Sequence, residues 1–255
     1  MIRYLYIIIL LAVSVTVSAK MSKADADAQK TEADSMYSQH HYEQAQKAYL
    51  LLLKDNPQNS ELLYNVGNCY YRLKKLAHAI LYYERAARIN PSDDDIRHNL
   101  TLARSQSQDK FYSASDLDVV YSFNSFVNTF GSDGWAWMSV VALAVLLAAV
   151  LTVRFSDKKG IRRISFVAIF LGVVCVVLFN IFAMIQRNKY TDHSGAIVMK
   201  TTKLMSTPDT TGTNLFTLHE GTKVVLNDTT LPTWTEVNLS DGQQGWVQNN
   251  DIENI

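Results

Sequence analysis

Residues 61–93 read ELLYNVGNCYYRLKKLAHAILYYERAARINPSD, and their pattern has an earlier copy in the chain. Stepping back 34 residues pairs Gly67 with Ala33, Ala79 with Ala45, Tyr83 with Tyr49 and Pro91 with Pro57. A fixed offset of this length marks stacked supersecondary units, each too small to bury its apolar face alone. The residue types fit a helical hairpin. Gly67 and Ala79 are small enough for two helices to approach closely, and Tyr70, Tyr71 and Tyr83 fill the space beside them. Pro91 cannot continue the helix before it. After Pro91, the acids of DDDIRHNLTLARSQ suit a helix N-terminus, and Ile96, Leu100 and Ala103 share one face. This third element is expected to cap the open end of the second copy.

Val66-Gly67, Tyr70, Ala79, Tyr83, Ala86 and Pro91 stand at the spacing of the tetratricopeptide (TPR) family, which the second copy resembles closely and the first more loosely. The resemblance implies an α-helical TPR solenoid over residues 24–107, two repeats plus a capping helix. In that family the first helix of each repeat lines a concave face that receives partner peptides. Carried over, Lys30, Asp34 and Tyr37 face the groove from the first repeat, Asn65, Asn68, Tyr71 and Arg72 from the second, and Asn99 from the cap. Each is equally compatible with a solvated surface position. The cap offers Asp95 and Asn99 where the carboxylate-clamp subfamily has basic residues, so capture of a C-terminal carboxylate is not expected.

Two later runs are long enough to cross a bilayer. Residues 135–153 and 164–185 carry no charged side chain, and a hydrocarbon core needs about 20 residues of helix. The first holds nine Leu or Val residues, which together favour insertion by ~3–5 kcal/mol. Trp135 and Trp137 suit an interfacial aromatic belt. The connecting segment 154–163, RFSDKKGIRR, carries five Lys or Arg against the single acid Asp157, whereas no Lys or Arg occurs between Phe111 and Gly134. Short cation-rich loops stay in the cytoplasm, so the expected hairpin sends both flanking modules outward. Residues 1–19, MIRYLYIIILLAVSVTVSA, have an early positive charge, a short apolar stretch and a small-residue end. They read as a secretory signal peptide cleaved after Ala19, with an uncleaved anchor as the other reading. In the linker 113–134, Ser115 and Asp118 form a helix-capping pattern, and Val119, Phe123, Phe126, Val127 and Phe130 share a helical face. That amphipathic helix suits either the outer membrane interface or a seat on the repeats.

From residue 194 the helical period gives way to short alternating stretches, AIVMK, TKLMS, KVVLN, WTEVNL and GWVQ, broken at Pro208-Asp209, Glu220-Gly221 and Asp241-Gly242. Thr207-Pro208, FTLHEGTKV (216–224), Trp234-Thr235-Glu236-Val237 and the 241–247 segment DGQQGWV occur in an order that resembles bacterial SH3 domains. The resemblance implies a small all-β SH3-like barrel over residues 190–255, closed by the final Asp-Ile-Glu-Asn-Ile. Phe216, Trp234 and Trp246 are candidates for an aromatic recognition surface, but a barrel of this size needs large core side chains and structural duty is the favoured reading. Relatives of such modules often bind cell-wall peptide or glycan.

The chain's 24 basic and 24 acidic side chains cancel, so no global field favours nucleic acid. Cys69 and Cys175 fall in compartments too different to pair. The six histidines form no H-E-x-x-H pair and neighbour no cysteine at ligand spacing, and His40-His41 reads as a solvated pair near a turn. There is no G-x-S-x-G and no Gly-rich phosphate loop, so neither an enzyme nor a cofactor or metal site is expected. The whole order of modules resembles the BatE-type membrane proteins of bacterial aerotolerance operons. That resemblance implies an inner-membrane location with both terminal modules periplasmic, von Willebrand A-type membrane proteins as partners, and a role in oxidative-stress tolerance. The expected protein is therefore a multidomain membrane protein acting as a non-enzymatic scaffold. A cell-wall sensor that binds murein fragments through its SH3-like domain is the alternative.

Overall fold

The computed structural model describes residues 22–109 and 118–255, with no side-chain detail for residues 118–121. The signal-peptide reading of residues 1–19 and the capping pattern beginning at Ser115 lie outside the described residues.

Five helices make up the repeat region: α1 (Lys23–Ser38), α2 (Tyr42–Asp55), α3 (Ser60–Arg72), α4 (Leu76–Ile89) and α5 (Asp94–Ser105). The 34-residue offset governs their backbone as well as their composition. Helix α1 ends in a Schellman motif, with His40 N–H donating to Tyr37 O and His41 N–H to Met36 O. Helix α3 ends identically, Lys74 N–H to Tyr71 O and Lys75 N–H to Tyr70 O. The residue in the left-handed region is His40 in one copy (φ 65°) and Lys74 in the other (φ 61°). At the other end, the Asn59 and Asp93 side chains cap α3 and α5 by accepting main-chain N–H groups. Tyr49 Oη donates to Asp34 Oδ1 at 2.6 Å, and Tyr83 Oη to Asn68 Oδ1 at 2.7 Å. Gly67 has a steric reason: a Cβ there would lie 2.7 Å from the Tyr83 ring. Ile96, Leu100 and Ala103 of α5 are buried against the second repeat, as their spacing requires of a cap.

Helix α6 (Asp118–Val127) leads into α7 (Ser132–Phe155) and α8 (Lys159–Thr191). By length and composition α7 and α8 are apolar enough to cross a membrane, with mean hydropathy 2.5 and 2.8 over their best windows. They form a hairpin whose turn is shorter than the 154–163 segment, because both helices run past their apolar stretches. Polar side chains pair across it: Asn180 Nδ2 donates to Ser139 Oγ at 2.6 Å, and Thr152 and Ser165 hydroxyls share a bond at 2.5 Å. An internal bond suits a polar group that lipid could not satisfy. Phe123 and Phe126 of the aromatic face of α6 pack on this hairpin. Phe126 lies 5.5 Å from Trp135 and 5.7 Å from Phe182 between ring centroids.

The C-terminal part is one antiparallel sheet of β1 (Gly195–Val198), β2 (Thr202–Met205), β3 (Asn214–Leu218), β4 (Lys223–Asp228), β5 (Trp234–Asn238), β6 (Gln244–Gln248) and β7 (Ile252–Asn254). Their order is β3-β2-β6-β5-β4-β1-β7. The expected barrel closure is absent: β3 and β7 stand at opposite edges, and β7 pairs with β1 alone. The edge of β7 meets α4 instead, where Arg85 donates to Glu253 Oε1 at 3.1 Å and to Asn254 O at 2.5 Å. The core is aliphatic, formed by residues such as Val198, Leu204, Leu218, Val237 and Val247. The favoured core role of the three aromatics is corrected here. Phe216 is 43% exposed on the edge strand, and Trp234 and Trp246 are half-buried. Strand alternation explains this, since Thr235 and Val237 of β5 and Gly245 and Val247 of β6 take the inward face.

Candidate functional site

The first helices of the repeats leave a groove of about 430 Å³, lined by Tyr37 from α1, Tyr64, Asn68, Tyr71 and Arg72 from α3, Tyr83 from α4, and Asn99 and Leu102 from α5. Its floor is a hydrogen-bonded set centred on Asn68. Asn68 Oδ1 accepts from Tyr83 Oη at 2.7 Å and from Asn99 Nδ2 at 3.0 Å, and Asn99 Nδ2 also donates to Tyr64 Oη at 2.8 Å. Burial pushes the Tyr64 and Tyr83 phenols up, so both stay protonated and keep their donors. On the rim, Arg72 Nε donates to Tyr37 Oη at 3.4 Å, and Gln106 Nε2 donates to Tyr71 Oη. The hydrogen bond from Arg72 to Tyr37 holds the guanidinium pKa above its ordinary value, so it is a fixed cation.

Five of the eight sequence-expected groove residues, Tyr37, Asn68, Tyr71, Arg72 and Asn99, converge here. Three do not. Lys30 bridges Asp34 (3.1 Å) and Glu61 (2.8 Å), so that ion-paired pair braces α1 against α3. Asn65 is half-buried on α3 outside the cavity lining. Tyr64, Tyr83 and Leu102 line the groove as well, although the spacing gave Tyr83 a packing role and did not single out Leu102. The signal was present in the repeat offset, since Tyr64 aligns with Lys30 and Leu102 with Asn68.

The arrangement offers amide groups, phenols and a cation along one concave wall, and amides both donate and accept. Such a surface suits the main chain and side chains of another protein. Residues 30–94 match the tetratricopeptide-repeat family. No curated protein is significantly similar to the chain. The matched repeats suggest a protein–protein interaction module. Among the described residues, no group of three His, Cys, Asp or Glu side chains converges as a metal-ligand set.

The opposite flank of the TPR module is already occupied. Ile197 and Ile255 of the sheet join the helical core. Glu84 of α4, only 6% exposed, receives Arg104 from α5 and Lys223 Nζ from β4, the latter at 3.0 Å. Burial alone would push its carboxyl up, but the Arg104 and Lys223 charges and hydrogen bonds outweigh that and hold it at about 2. Asp109 accepts from the His219 main-chain N–H, His219 Nδ1 and Thr222 Oγ1, each at 2.7 Å. Gly221 (φ 87°) brings the β3–β4 turn against Ile80, where a Cβ would lie 2.9 Å from Cδ1. Sequence reasoning missed this junction entirely, because its partners stand more than a hundred residues apart.

Of the three aromatics considered in the sheet, two come together. Trp246 pairs with Glu236 and Trp234 with Gln248, which places both indoles on the outward face of β5–β6 as diagonal neighbours. Phe216, opposite Leu204 on the edge pair β2–β3, lies apart from them.

Proposed function

We propose that this protein is a non-catalytic membrane-held scaffold that captures a segment of a partner protein in the TPR groove. The groove of Tyr37, Tyr64, Asn68, Tyr71, Arg72 and Asn99 carries the reading, because it stays open while the other flank of the module is filled by the sheet. Helices α7 and α8 span the inner membrane in this reading, the cation-rich turn is cytoplasmic, and both modules face the periplasm. The sheet serves as an SH3-like module docked on the repeats. The resemblance to BatE-type proteins points to von Willebrand A-type membrane proteins as partners in an oxidative-stress complex. Affinity capture of the full chain from detergent-solubilised membranes tests this. Tyr37→Ala with Arg72→Ala removes two rim groups, one half-buried and one exposed, and is expected to lose the partner, whereas Asn65→Ala retains it. Unchanged capture by the double variant refutes groove recognition.

A second reading has one observation in its favour. Trp234 and Trp246 share an outward face, a layout suited to stacking on a glycan or peptide ring of murein. Co-sedimentation of the full chain with murein, lost in Trp246→Ala, supports it. No sedimentation at all removes it.

A further inference from the structure

A second cavity, of about 640 Å³, lies where the TPR helices, the end of α8 and the edge of the sheet meet. Its volume is in the ordinary range for a ligand site. Lys54 of α2 and Arg85 and Arg88 of α4 line it, and no Asp or Glu side chain does. Leu50, Leu53 and Ile89 give it an apolar wall on the same two helices. Arg85 is the cation here with a carboxylate partner, Glu253; Lys54 has none among the described residues. Arg88 Nη1 is spent on the carbonyl oxygen of Asp192, on the main-chain oxygen of the last residue, Ile255, and on His193 Nδ1. Burial, and then the like charge of Arg85, hold the Arg88 guanidinium below its ordinary value. A bound anion relieves the crowding of like charges one turn apart.

The position of the cavity decides which anion. Tyr190 and Thr191 of α8 line it, and the apolar run of that helix ends at Ile185. Five residues of helix rise about 7–8 Å. The polar layer of a bilayer is roughly 5–8 Å deep on each side. The cavity therefore opens at the level of lipid headgroups, with cations and an apolar wall side by side.

We infer that this cavity binds the phosphate-bearing headgroup of an anionic phospholipid, with the glycerol and first methylenes against Leu50, Leu53 and Ile89. Lys54 and Arg85 contact the phosphate, and Arg88 sets the positive potential behind them. The occupied site pins the TPR module and the sheet to the membrane surface and so fixes the height of the groove above it. The inference rests on the membrane-spanning reading of α7 and α8.

The test uses the full chain in nanodiscs of phosphatidylcholine alone or mixed with phosphatidylglycerol, followed by native mass spectrometry of the released protein. The expected result is one retained phosphatidylglycerol and no retained phosphatidylcholine. Lys54→Glu, an exposed site that contributes nothing to the core, weakens retention at least about tenfold, the worth of one charged contact. Arg85→Gln does the same, and inorganic phosphate fails to displace the lipid. Equal retention of both lipids, wild-type retention in Lys54→Glu, or displacement by phosphate alone overturns the lipid site. An alkaline carbonate wash of membranes separates the two layers of the argument. A chain released by the wash overturns the membrane reading itself, whereas a retained chain indifferent to headgroup charge overturns only the lipid site.

Discussion

Replacing Glu84 by Gln removes a buried carboxylate that ties the TPR module to the sheet while keeping its shape. The side chain is 7% exposed, and its partners Arg104 and Lys223 are 46% and 42% exposed. Lowering its pKa from 4.5 to about 2 corresponds to ~3 kcal/mol of stability, at 1.36 kcal/mol per unit. The folded-state pKa is depressed, so this contribution is complete above about pH 4.5 and drains away as the pH falls towards 2. Breaking a buried ion pair costs ~3–5 kcal/mol when a buried charge is stranded, but here the stranded cations reach water, which places the cost nearer 2–3 kcal/mol. At ~2–4 °C per kcal/mol for a chain of this size, the unfolding midpoint of the full chain in detergent falls roughly 4–12 °C at pH 7. The gap between wild type and Glu84→Gln then narrows as the pH is lowered from 4.5. Lys223→Met supplies the control: in that background Glu84→Gln costs less, because part of the interaction is already gone. Equal midpoints at pH 7 together with an unchanged acid limb refute the claim that this carboxylate holds the two modules together. A full effect persisting in the Lys223→Met background refutes the link to β4 and leaves only Arg104.

Gly67→Val places methyl groups where even a Cβ lies 2.7 Å from the Tyr83 ring, and overpacking of this kind costs ~1–3 kcal/mol; a lowered thermal midpoint is the readout. Lys74→Gly relieves a left-handed backbone (φ 61°) and stabilises by up to about 1 kcal/mol, with denaturant midpoints as the check. Gly221→Ala puts a side chain at φ 87° and 2.9 Å from Ile80 Cδ1, costing ~1–2 kcal/mol; wild-type stability in that variant refutes the tight seat of the β3–β4 turn on α4. Asp109→Asn leaves the His219 and Thr222 donors with a weaker acceptor. Burial alone would raise the Asp109 pKa, but hydrogen bonds from the His219 N–H and Thr222 hold it below its ordinary value, so the wild-type advantage is present above about pH 4 and fades in acid.

Five groove positions were legible because a repeat writes its geometry twice. Asp34 and Asn68 accept from Tyr49 and Tyr83 at the same offset, and Tyr37 and Tyr71 follow it onto the rim. Lys30 and Asp34 were misplaced because the sequence does not show that Glu61, on the next helix, draws Lys30 aside. The aromatics of the sheet were misjudged for a different reason. Alternation along WTEVN and QGWVQ is plain, but a period of two cannot say which half faces inward. The pairing of Val237 with Gly245 and of Thr235 with Val247 selects the inward set, and that sends Trp234 and Trp246 outward.

The sequence by itself determined the repeat, its cap, two helices fit to cross a bilayer and a run of antiparallel strands. Each follows from local spacing, where neighbours a few residues apart decide one another's conformation. Only the tertiary structure decided that the sheet is open, that β7 is covered by α4, that Glu84 and Asp109 lock two modules into one body, and that cations from α2 and α4 gather beside the end of α8. Those contacts join residues far apart along the chain. Burial then determines what each charge is worth, and neither partner carries a trace of the other in its own stretch of sequence.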